Sequence, residues 1–583
     1  MLKLLKNFDK KDYILVILCV ILIIFQVWLD LKLPDYMSEI TRLVQTKGTT
    51  IDEVLHQGAY MLLCAAGSLV SAFIVGYITS YLSATFSKNT RKTLFEKVQS
   101  FSMSEIKMFK TSSLITRTTN DITHIQMFIS MGFQMLIKAP ITAVWAILKI
   151  LGKGWQWSLA TLVAVLILLS VIIVLITLVL PKFKIVQKLV DNINGLVREN
   201  LNGIRVIRAF NAEKYQEQKF EEGNETLTKT QMFTQKMMSI MSPTMYLVMN
   251  LLTLSIYTIG AGLLNSAGMY ERLDIFSNMV VFSSYAMQVI MSFLMLAVVF
   301  IMYPRASISA NRVREVLDTE NSIKEGSFNG KTKVAGEVEF KNVSFMYPDA
   351  DEYVLKDISF KANKGDTLAI IGSTGSGKST IVNLIMRFYD ATEGEILVDG
   401  VNIKDYELEA LYEKLGYVPQ RAAIFNGSVN YNISYGKSKI GKKMVKEASQ
   451  IAQASEFIEN MSKKYESNIA QGGTNISGGQ KQRISIARAI AKTPEIFVFD
   501  DSFSALDYKT DYVLRKALKE NTKDATNIII AQRIGTIINA EQIIVLDKGK
   551  MVGVGTHKEL LKKCKVYKEI ALSQLSKEEL ENE

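Results

Sequence analysis

The sequence predicts an α-helical membrane domain followed by an α/β domain. Two observations lead to this fold class. Six uncharged apolar stretches lie within the first 304 of the 583 residues, and in the second half short β-type runs such as Thr367–Ile371 and Ile496–Phe499 alternate with helical segments. With 48% hydrophobic residues, the chain is rich for a single soluble domain.

Each apolar stretch is long enough to cross a bilayer, because about 20 apolar residues suffice for a helical span. The predicted spans are about 13–33, 57–87, 132–152, 155–181, 237–268 and 275–304. Lys138 interrupts the third span. The first span lacks a small-residue cleavage site, so we expect it to stay in the membrane.

Lysine and arginine placement orients these spans. The N-terminus carries Lys3, Lys6, Lys10 and Lys11, and the segment after the second span is also basic, whereas Pro34–His56 holds only two cations against four acids. Because cytoplasmic loops carry the excess of cations, we expect the N-terminus and, after six spans, the C-terminal half to be cytoplasmic.

The net charge of +11 does not indicate a nucleic-acid partner, because the basic residues are spread over loops and amphipathic segments. The three cysteines, Cys19, Cys64 and Cys564, show neither disulfide nor metal-ligand spacing.

The domain boundary follows Arg305, where the composition changes. We place the membrane domain at residues 1–315, a linker rich in Gly, Asn and Lys at 316–335, and the α/β domain at 336–583. Some fifty polar residues separate spans two and three, and again spans four and five. They predict long helices that extend into the cytoplasm.

A phosphate-binding loop follows the strand Thr367–Ile371. The motif G-x-x-x-x-G-K-[ST] comprises Gly372, Ser373, Thr374, Gly375, Ser376, Gly377, Lys378, Ser379 and Thr380. Its glycines let backbone N–H groups surround phosphate, Lys378 can reach the β/γ oxygens, and Ser379 can bind Mg²⁺. Asp500, at the end of the apolar run Ile496–Phe499, suits the same Mg²⁺ through water. The predicted ligands are therefore ATP and Mg²⁺.

With these motifs in place, nearly the whole chain resembles an ATP-binding cassette exporter with one membrane domain and one nucleotide domain. The segment NISGGQKQR, Asn475–Arg483, is similar to the family signature, although Ile476 replaces the usual leucine. The resemblance implies that Ser477, Gly478, Gly479 and Gln480 bind the ATP of a partner cassette.

The resemblance assigns further roles by position. Tyr347 corresponds to the residue that stacks on adenine, and Gln420 to the glutamine that contacts Mg²⁺ and the attacking water. Ser504, Ala505, Leu506 and Asp507 correspond to the loop that crosses the cassette interface. Glu199–Glu213 resembles the second intracellular loop, with a short helix expected to dock on the partner's nucleotide domain.

Two positions depart from the family pattern, both on the γ-phosphate side. Asp501 stands where a catalytic glutamate is usual, and the shorter side chain retracts the carboxylate by roughly 1.5 Å. Gln532 replaces the switch histidine and cannot carry its positive charge. We therefore expect slow hydrolysis at this chain's own site, with Asp501, Gln532 and Gln420 as its catalytic side chains.

A chain with one cassette must dimerise, because each ATP lies between two cassettes in this family. We favour a heterodimer that resembles the asymmetric bacterial multidrug exporters, in which this chain's signature completes a competent site on the partner. The alternatives are a homodimeric slow exporter of lipid or peptide, and an ATP-gated channel or regulatory membrane ATP-binding protein.

The sequence leaves the substrate open among drugs, lipids and small peptides. Methionines are frequent in the last two spans, which suits varied hydrophobic ligands, although for any one of them packing against helices or lipid is the simpler explanation. They are Met237, Met238, Met241, Met245, Met249, Met279, Met287, Met291, Met295 and Met302.

Overall fold

The computed structural model describes residues 10–46, 48–268, 271–436 and 440–574, apart from the side chain of residue 184. The chain forms two compact units. The first comprises Met1–Gln99 and Thr111–Thr319, and the second comprises Ser100–Lys110 and Glu320–Glu583. Lys3 and Lys6, which entered the prediction of topology, lie outside the described residues.

Helices make up the first unit. They are α1 (Lys10–Gln45), α2 (Ile51–Ser100), α4 (Thr111–Thr116), α5 (Ile122–Met127), α6 (Phe133–Ile150), α7 (Trp155–Ala209), α8 (Glu213–Ser266) and α9 (Glu271–Asp318), whereas the short α3 (Met103–Phe109) belongs to the second unit. Within the described residues, six helical segments are long and apolar enough to cross a membrane, the third being the whole of Thr111–Ile150. The prediction of six apolar helices is confirmed.

The third of these segments is irregular. π-Helical turns at Arg117–Asp121 and Phe128–Gly132 separate α4, α5 and α6. Such turns widen the helix by one residue and are often found near functional sites.

The second intracellular loop differs from expectation. Residues 199–209 continue the 55-residue helix α7, and the chain turns at 210–212 into α8, so no separate short helix forms there. This segment extends α7 instead. Phe210, in the turn itself, has 78% of its surface exposed.

Lys138 has an ionic partner inside the first unit. Its amino group lies 3.1 Å from the Asp30 carboxylate of α1, and Lys149 lies 2.7 Å from Asp35 in the same way. The Tyr285 hydroxyl of α9 also donates to Asp35 at 2.5 Å. Charges within a membrane segment are costly unless they are paired, so these contacts explain how an apolar helix accommodates lysines.

We predict that Asp30→Asn lowers the stability of the chain in detergent by about 1–3 kcal/mol, between the values for exposed and fully buried pairs. The variant leaves the Lys138 ammonium without its anion. Asp30→Asn combined with Lys138→Met should recover most of the loss in thermal unfolding. Glu225→Gln, which breaks the exposed Glu225–Lys229 pair, is the matched control and should change nothing. Equal melting of Asp30→Asn and the wild type would contradict the prediction.

The second unit is an α/β domain, with twelve strands among its described residues. The strands are β1 (Val338–Phe345), β2 (Leu355–Ala362), β3 (Thr367–Gly372), β4 (Glu393–Val398), β5 (Val401–Asn402), β6 (Leu415–Val418), β7 (Gly427–Ser428), β8 (Asn468–Ile469), β9 (Ile496–Asp500), β10 (Thr526–Ile530), β11 (Gln542–Asp547) and β12 (Lys550–Gly555). They form a six-stranded sheet ordered β12-β11-β3-β10-β9-β6, an antiparallel sheet ordered β2-β1-β4-β5, and the pair β7-β8.

Helices cover the six-stranded sheet. They are α10 (Lys378–Ile385), α11 (Leu408–Lys414), α12 (Val429–Ile433), α13 (Lys442–Ile451), α14 (Ser455–Glu459), α15 (Gly478–Ala491), α16 (Tyr508–Asn521), α17 (Ile534–Ile537), α18 (His557–Lys563) and α19 (Lys565–Leu572). Strand residues alternate between two apolar cores: Phe497 and Phe499 pack with α15, whereas Ile496 and Val498 pack with α10 and the antiparallel sheet. Burial on both faces is typical of parallel strands.

Candidate functional site

Four neighbouring parallel strands bring the predicted site together. β3 pairs with β10, β10 with β9, and β9 with β6, all in parallel. Their carboxyl ends therefore meet at one edge of the sheet, where ligands bind in open α/β folds. The phosphate-binding loop follows β3, Asp500 ends β9, and Gln532 and Gln420 follow β10 and β6 by two residues.

The phosphate-binding loop has the backbone that its glycines predict. Gly375 and Gly377 adopt φ angles of 83° and 100°, a region that other residues rarely enter. A Cβ on Gly377 would also lie 2.6 Å from Leu355, so a side chain has no room there. The loop leads directly into α10, whose first residue is Lys378.

The polar side chains of this loop fit ATP. The Lys378 ammonium donates to the carbonyls of Gly372 and Ser373 at 2.9 and 2.7 Å, which folds the side chain over the loop. Burial lowers the pKa of Lys378, against the attraction of Asp501 and Asp500. In the described part of the chain, the buried Ser376 hydroxyl has no hydrogen-bond partner, as expected of a group that faces a ligand.

Two oxygen donors for Mg²⁺ lie side by side. The exposed Ser379 hydroxyl donates to the Asp500 carboxylate at 3.1 Å, and oxygen ligands of this kind are those that Mg²⁺ prefers. Burial is the main cause that raises the pKa of Asp500, with a contribution from Asp501 beside it. A bound cation would oppose that shift by favouring the ionised carboxylate.

Tyr347 lies beside the helix that follows the phosphate-binding loop. Its hydroxyl is 3.2 Å from the Thr380 hydroxyl and accepts from the Asn383 amide at 3.3 Å. The ring packs edge-to-face with Phe345 and Tyr389. Thr380 therefore lies on the side of α10 near the ring, while Ser373 and Thr374 are exposed at the tip of the loop. The sequence does not indicate a role for Asn383, because this residue follows the phosphate-binding motif and belongs to no motif itself.

The two departures from the family pattern contact each other. The Gln532 amide donates to Asp501 Oδ2 at 2.8 Å, and the Gln420 amide donates to the same oxygen at 3.2 Å. The sequence places both residues on the γ-phosphate side of the site, but their 31-residue separation gives no signal that they contact each other. Here the glutamine at the switch position holds the shortened carboxylate.

The surroundings of Asp501 also restrain it. Its backbone N–H donates to the Ile530 carbonyl, and its φ is 47°, an unusual value for a residue other than glycine. Burial raises the pKa of its carboxyl, although the bond from Gln420 acts in the opposite direction. A small cavity of about 180 Å³ adjoins it, lined by Asp501, Phe503, Ser504, Ile530, Ala531, Gln532, Arg533 and Thr536.

The signature segment begins the 14-residue helix α15. Ser477 and Gln480 form a capping box: the Ser477 hydroxyl accepts from the Gln480 backbone N–H, and the Gln480 side-chain Oε1 accepts from the Ser477 backbone N–H. Ser477 and Gly478 are exposed, and a Cβ on Gly478 would meet only open space. Exposed helix N-termini of this kind can bind an anion.

The interface loop connects the signature to Asp501. The Ser504 hydroxyl donates to the Asp501 carbonyl at 2.9 Å, and a Cβ on Gly479 would lie 3.3 Å from the Ala505 carbonyl. Leu506 is buried, whereas Asp507 is exposed and caps α16 through the Thr510 N–H. One short segment thus bonds to the backbone of Asp501 and lies next to the start of the signature helix.

Comparisons with known families agree with this geometry. Residues 16–293 match the model of the ABC transporter transmembrane region, and residues 355–504 match the ABC transporter model that describes the nucleotide domain. The chain belongs to the ABC transporter family. Its two domains make it an exporter half-transporter with an ATP-binding transport ATPase domain, so these parts of the predictions are confirmed.

Several ABC transporter relatives align over most of the chain. An uncharacterized ABC transporter ATP-binding protein of Mycobacterium tuberculosis is 37% identical over 551 residues, covering 94% of this chain and 93% of the relative. One from Bacillus subtilis is 34% identical over 522 residues, covering 89% and 90%. The ATP-dependent lipid A-core flippase of Pseudomonas aeruginosa is 31% identical over 507 residues, covering 86% and 82%.

A solved structure shares the fold. The structure of a bacterial Atm1-family ABC exporter with ATP bound superposes with a TM-score of 0.81, covering 96% of this chain and 99% of that chain at 24% sequence identity. The predicted fold class, six membrane helices followed by an ABC nucleotide domain, is thereby confirmed.

The bond between Gln532 and Asp501 predicts a non-additive response to restoring the family residues. Asp501→Glu alone lengthens the acid but leaves Gln532 able to hold it, and Gln532→His alone leaves the acid short. Together they should raise turnover at this site more than tenfold above the product of the single effects, since a shift of about 1 Å can change a rate on the order of a hundredfold. Steady-state ATPase activity in lipid measures this, with any catalytic glutamate of a partner changed to glutamine.

Adding Lys378→Ala to the double variant is the control, and it should abolish the gained activity. Full activity from Asp501→Glu alone would show that Gln532 does not restrain the carboxylate.

Proposed function

We propose that the chain is one subunit of a heterodimeric ABC exporter whose own ATP site is catalytically degenerate and whose signature completes the competent site of its partner. The complex would move hydrophobic or amphipathic compounds out across a bacterial cytoplasmic membrane, as multidrug exporters do. The N-terminus and the nucleotide domain would be cytoplasmic.

The observation that carries this proposal is the hydrogen bond from Gln532 to Asp501 at 2.8 Å. A carboxylate that accepts from both Gln532 and Gln420 has one oxygen occupied by amides and lies one carbon short of the usual position. Such a group is poorly placed to orient or deprotonate an attacking water. Slow turnover at this site follows.

The binding side of the same site remains complete. Lys378 would contact the β/γ oxygens, the backbone of Gly372–Gly377 would surround them, and Tyr347 would stack on the base. Ser379 would bind Mg²⁺ directly and Asp500 through water, with Gln420 beside them, and the cation would neutralise charge on the phosphates. Tight binding with slow turnover suits a regulatory ATP site.

The signature, by contrast, keeps Ser477, Gly478, Gly479 and Gln480, and departs from the family pattern only at Ile476. Ser477 is exposed at a capped helix N-terminus, beside the loop Ser504–Asp507. In a dimer of stacked cassettes, Ser477 and the N–H groups of Gly478 and Gly479 would reach the γ-phosphate of the partner's ATP. This one chain would therefore carry both a slow ATP site of its own and a signature that serves the partner's competent site.

An exposed apolar tip favours a partner. Leu201, in the last part of α7, and Phe210, at the turn between α7 and α8, are 70% and 78% exposed. Large apolar side chains left in water at the end of two long helices are typical of an interface. The resemblance places the partner's nucleotide domain there, and exporters of this family work as dimers.

An apolar cleft supports a hydrophobic cargo. It lies in the first unit between α7, α8 and α9, and Met238 and Met241 lie in its wall. The other residues that line it are Ile172, Leu175, Ile176, Val179, Leu180, Phe183, Ala297, Phe300 and Ile301. Flexible thioethers among branched side chains can adapt to ligands of different shapes.

Two alternatives make different experimental predictions. A homodimeric slow exporter of lipid or peptide would be active when this chain is expressed alone, and the flippase relative favours lipid as its cargo. An ATP-gated channel or regulatory ATP-binding protein would conduct ions or act without ATP-driven accumulation of a substrate. The heterodimer requires co-expression with a second half-transporter.

We predict that Asp501→Asn and Ser477→Ala affect the co-expressed complex unequally. Asp501→Asn should retain at least about half of the steady-state ATPase activity in lipid, because its carboxylate serves the slow site. Ser477→Ala should reduce activity about tenfold or more, because it damages the site that cycles and so raises the barrier of the turnover step.

The glutamate-to-glutamine change in the partner is the reference for complete loss. If Asp501→Asn abolishes turnover as fully as that change, this chain's own site is catalytic and the proposal is wrong.

A further inference from the structure

The short helix α3 belongs to the same compact unit as the nucleotide domain, although it lies between the second and third membrane spans in sequence. The Glu105 carboxylate anchors it. This carboxylate accepts from the Ser102 N–H at 3.0 Å, the Ser102 hydroxyl at 2.5 Å and the Ser322 N–H at 3.2 Å. Phe101 and Phe109 stack with nearly parallel rings at 5.8 Å. Both ends of α3 are thus fixed.

This anchoring brings Lys107 to the ring of Tyr347. The Lys107 amino group lies 5.2 Å from the ring centroid and 3.4 Å from the Asp349 carboxylate. An ammonium within about 6 Å of an aromatic centroid is attracted by the ring electrons. The contact links residues 240 positions apart, so the sequence carried no signal for it.

The Lys107 amino group lies over one face of the ring. Tyr347 packs against the domain core with Phe345 and Tyr389 around it, and its hydroxyl contacts α10. The Lys107 side chain, in contrast, is 60% exposed. A purine that stacks on Tyr347 must approach from solvent, and therefore reaches the face that Lys107 covers.

We propose that Lys107 and the purine base compete for one face of Tyr347, so that α3 senses the base. The inference rests on the proposed role of Tyr347 as the base platform. Base stacking displaces the amino group, which keeps Asp349 as its partner. Because Glu105 holds α3 to Ser322, at the start of the second unit, the position of the base is transmitted to the chain that connects α2 with α4.

Competition has a base-specific signature. Removing the Lys107 ammonium should strengthen the binding of ATP but not of tripolyphosphate, which has no base. Loss of one exposed cation–π contact corresponds to about two- to fivefold in affinity. Loss of positive charge near the site acts on both competitors, and it cancels in the ratio of their affinities.

The test is photolabelling of the full-length chain with 8-azido-ATP in lipid nanodiscs, with its partner present if the complex requires it. The labelled chain is resolved by gel, and Mg²⁺·ATP or Mg²⁺·tripolyphosphate competes with the label. In Lys107→Met the half-inhibitory concentration of ATP, divided by that of tripolyphosphate, should fall about two- to fivefold. Lys110→Met, an equal change of charge at the end of α3, is the control and should leave the ratio unchanged.

Tyr347→Leu separates failure of the inference from failure of the proposed site. It should raise the same ratio, since the base loses its platform. A raised ratio in Tyr347→Leu with an unchanged or raised ratio in Lys107→Met would overturn the competition alone. An unchanged ratio in Tyr347→Leu would overturn both the platform and the inference built on it.

Discussion

Parallel pairing of β3, β10, β9 and β6 is the constraint on which the nucleotide site depends. Because these strands run in the same direction in one sheet, the four segments after them emerge at one edge within hydrogen-bond distance of each other. The sheet itself is stabilised by apolar residues buried on both faces. The polar side chains of the site are therefore positioned by strands whose own side chains are almost all apolar.

The meeting of the strand ends at one edge of the sheet explains why Asp501 and Gln532 contact each other. A carboxylate at position 501 and an amide at position 532 sit at the ends of adjacent strands, so they interact with each other as well as with any phosphate. An amide both donates to the acid and remains neutral, whereas a histidine could supply positive charge to the γ-phosphate. In the proposed function, the pair holds the acid in a slow arrangement while the phosphate-binding loop is left unchanged.

The fold followed from local patterns, and most of the site followed from motifs. Apolar stretches of membrane length and the strand–loop–helix context of Gly372–Thr380 are encoded over short segments, so the sequence alone predicted six helices and the loop. The prediction of a separate short helix at the second intracellular loop was wrong, because tertiary context decides where a long helix ends. Residues 199–209 continue α7 as one helix, so the expected short helix does not form separately.

Contacts across long separations were beyond sequence analysis. The pairing of Lys138 with Asp30, the bond between Gln532 and Asp501, and the position of Lys107 over Tyr347 each join different elements. Composition and spacing do not specify which side chains meet, because that depends on how helices and strands pack. The Lys138–Asp30 pair explains how a membrane helix accommodates a charged residue. The Gln532–Asp501 bond restrains the acid. The Lys107–Tyr347 contact links α3 to the proposed base site.

The central claim is that this chain's own site holds ATP and cleaves it much more slowly than the partner's site while the complex turns over. The most direct measurement labels the working complex in parallel with 8-azido-ATP carrying ³²P at the α or the γ position, then crosslinks during turnover and resolves the two chains. We predict that this chain retains equal α and γ label, since its nucleotide is intact, whereas the partner keeps α label and loses γ label. Loss of γ label from this chain at the same rate as from the partner would contradict the account.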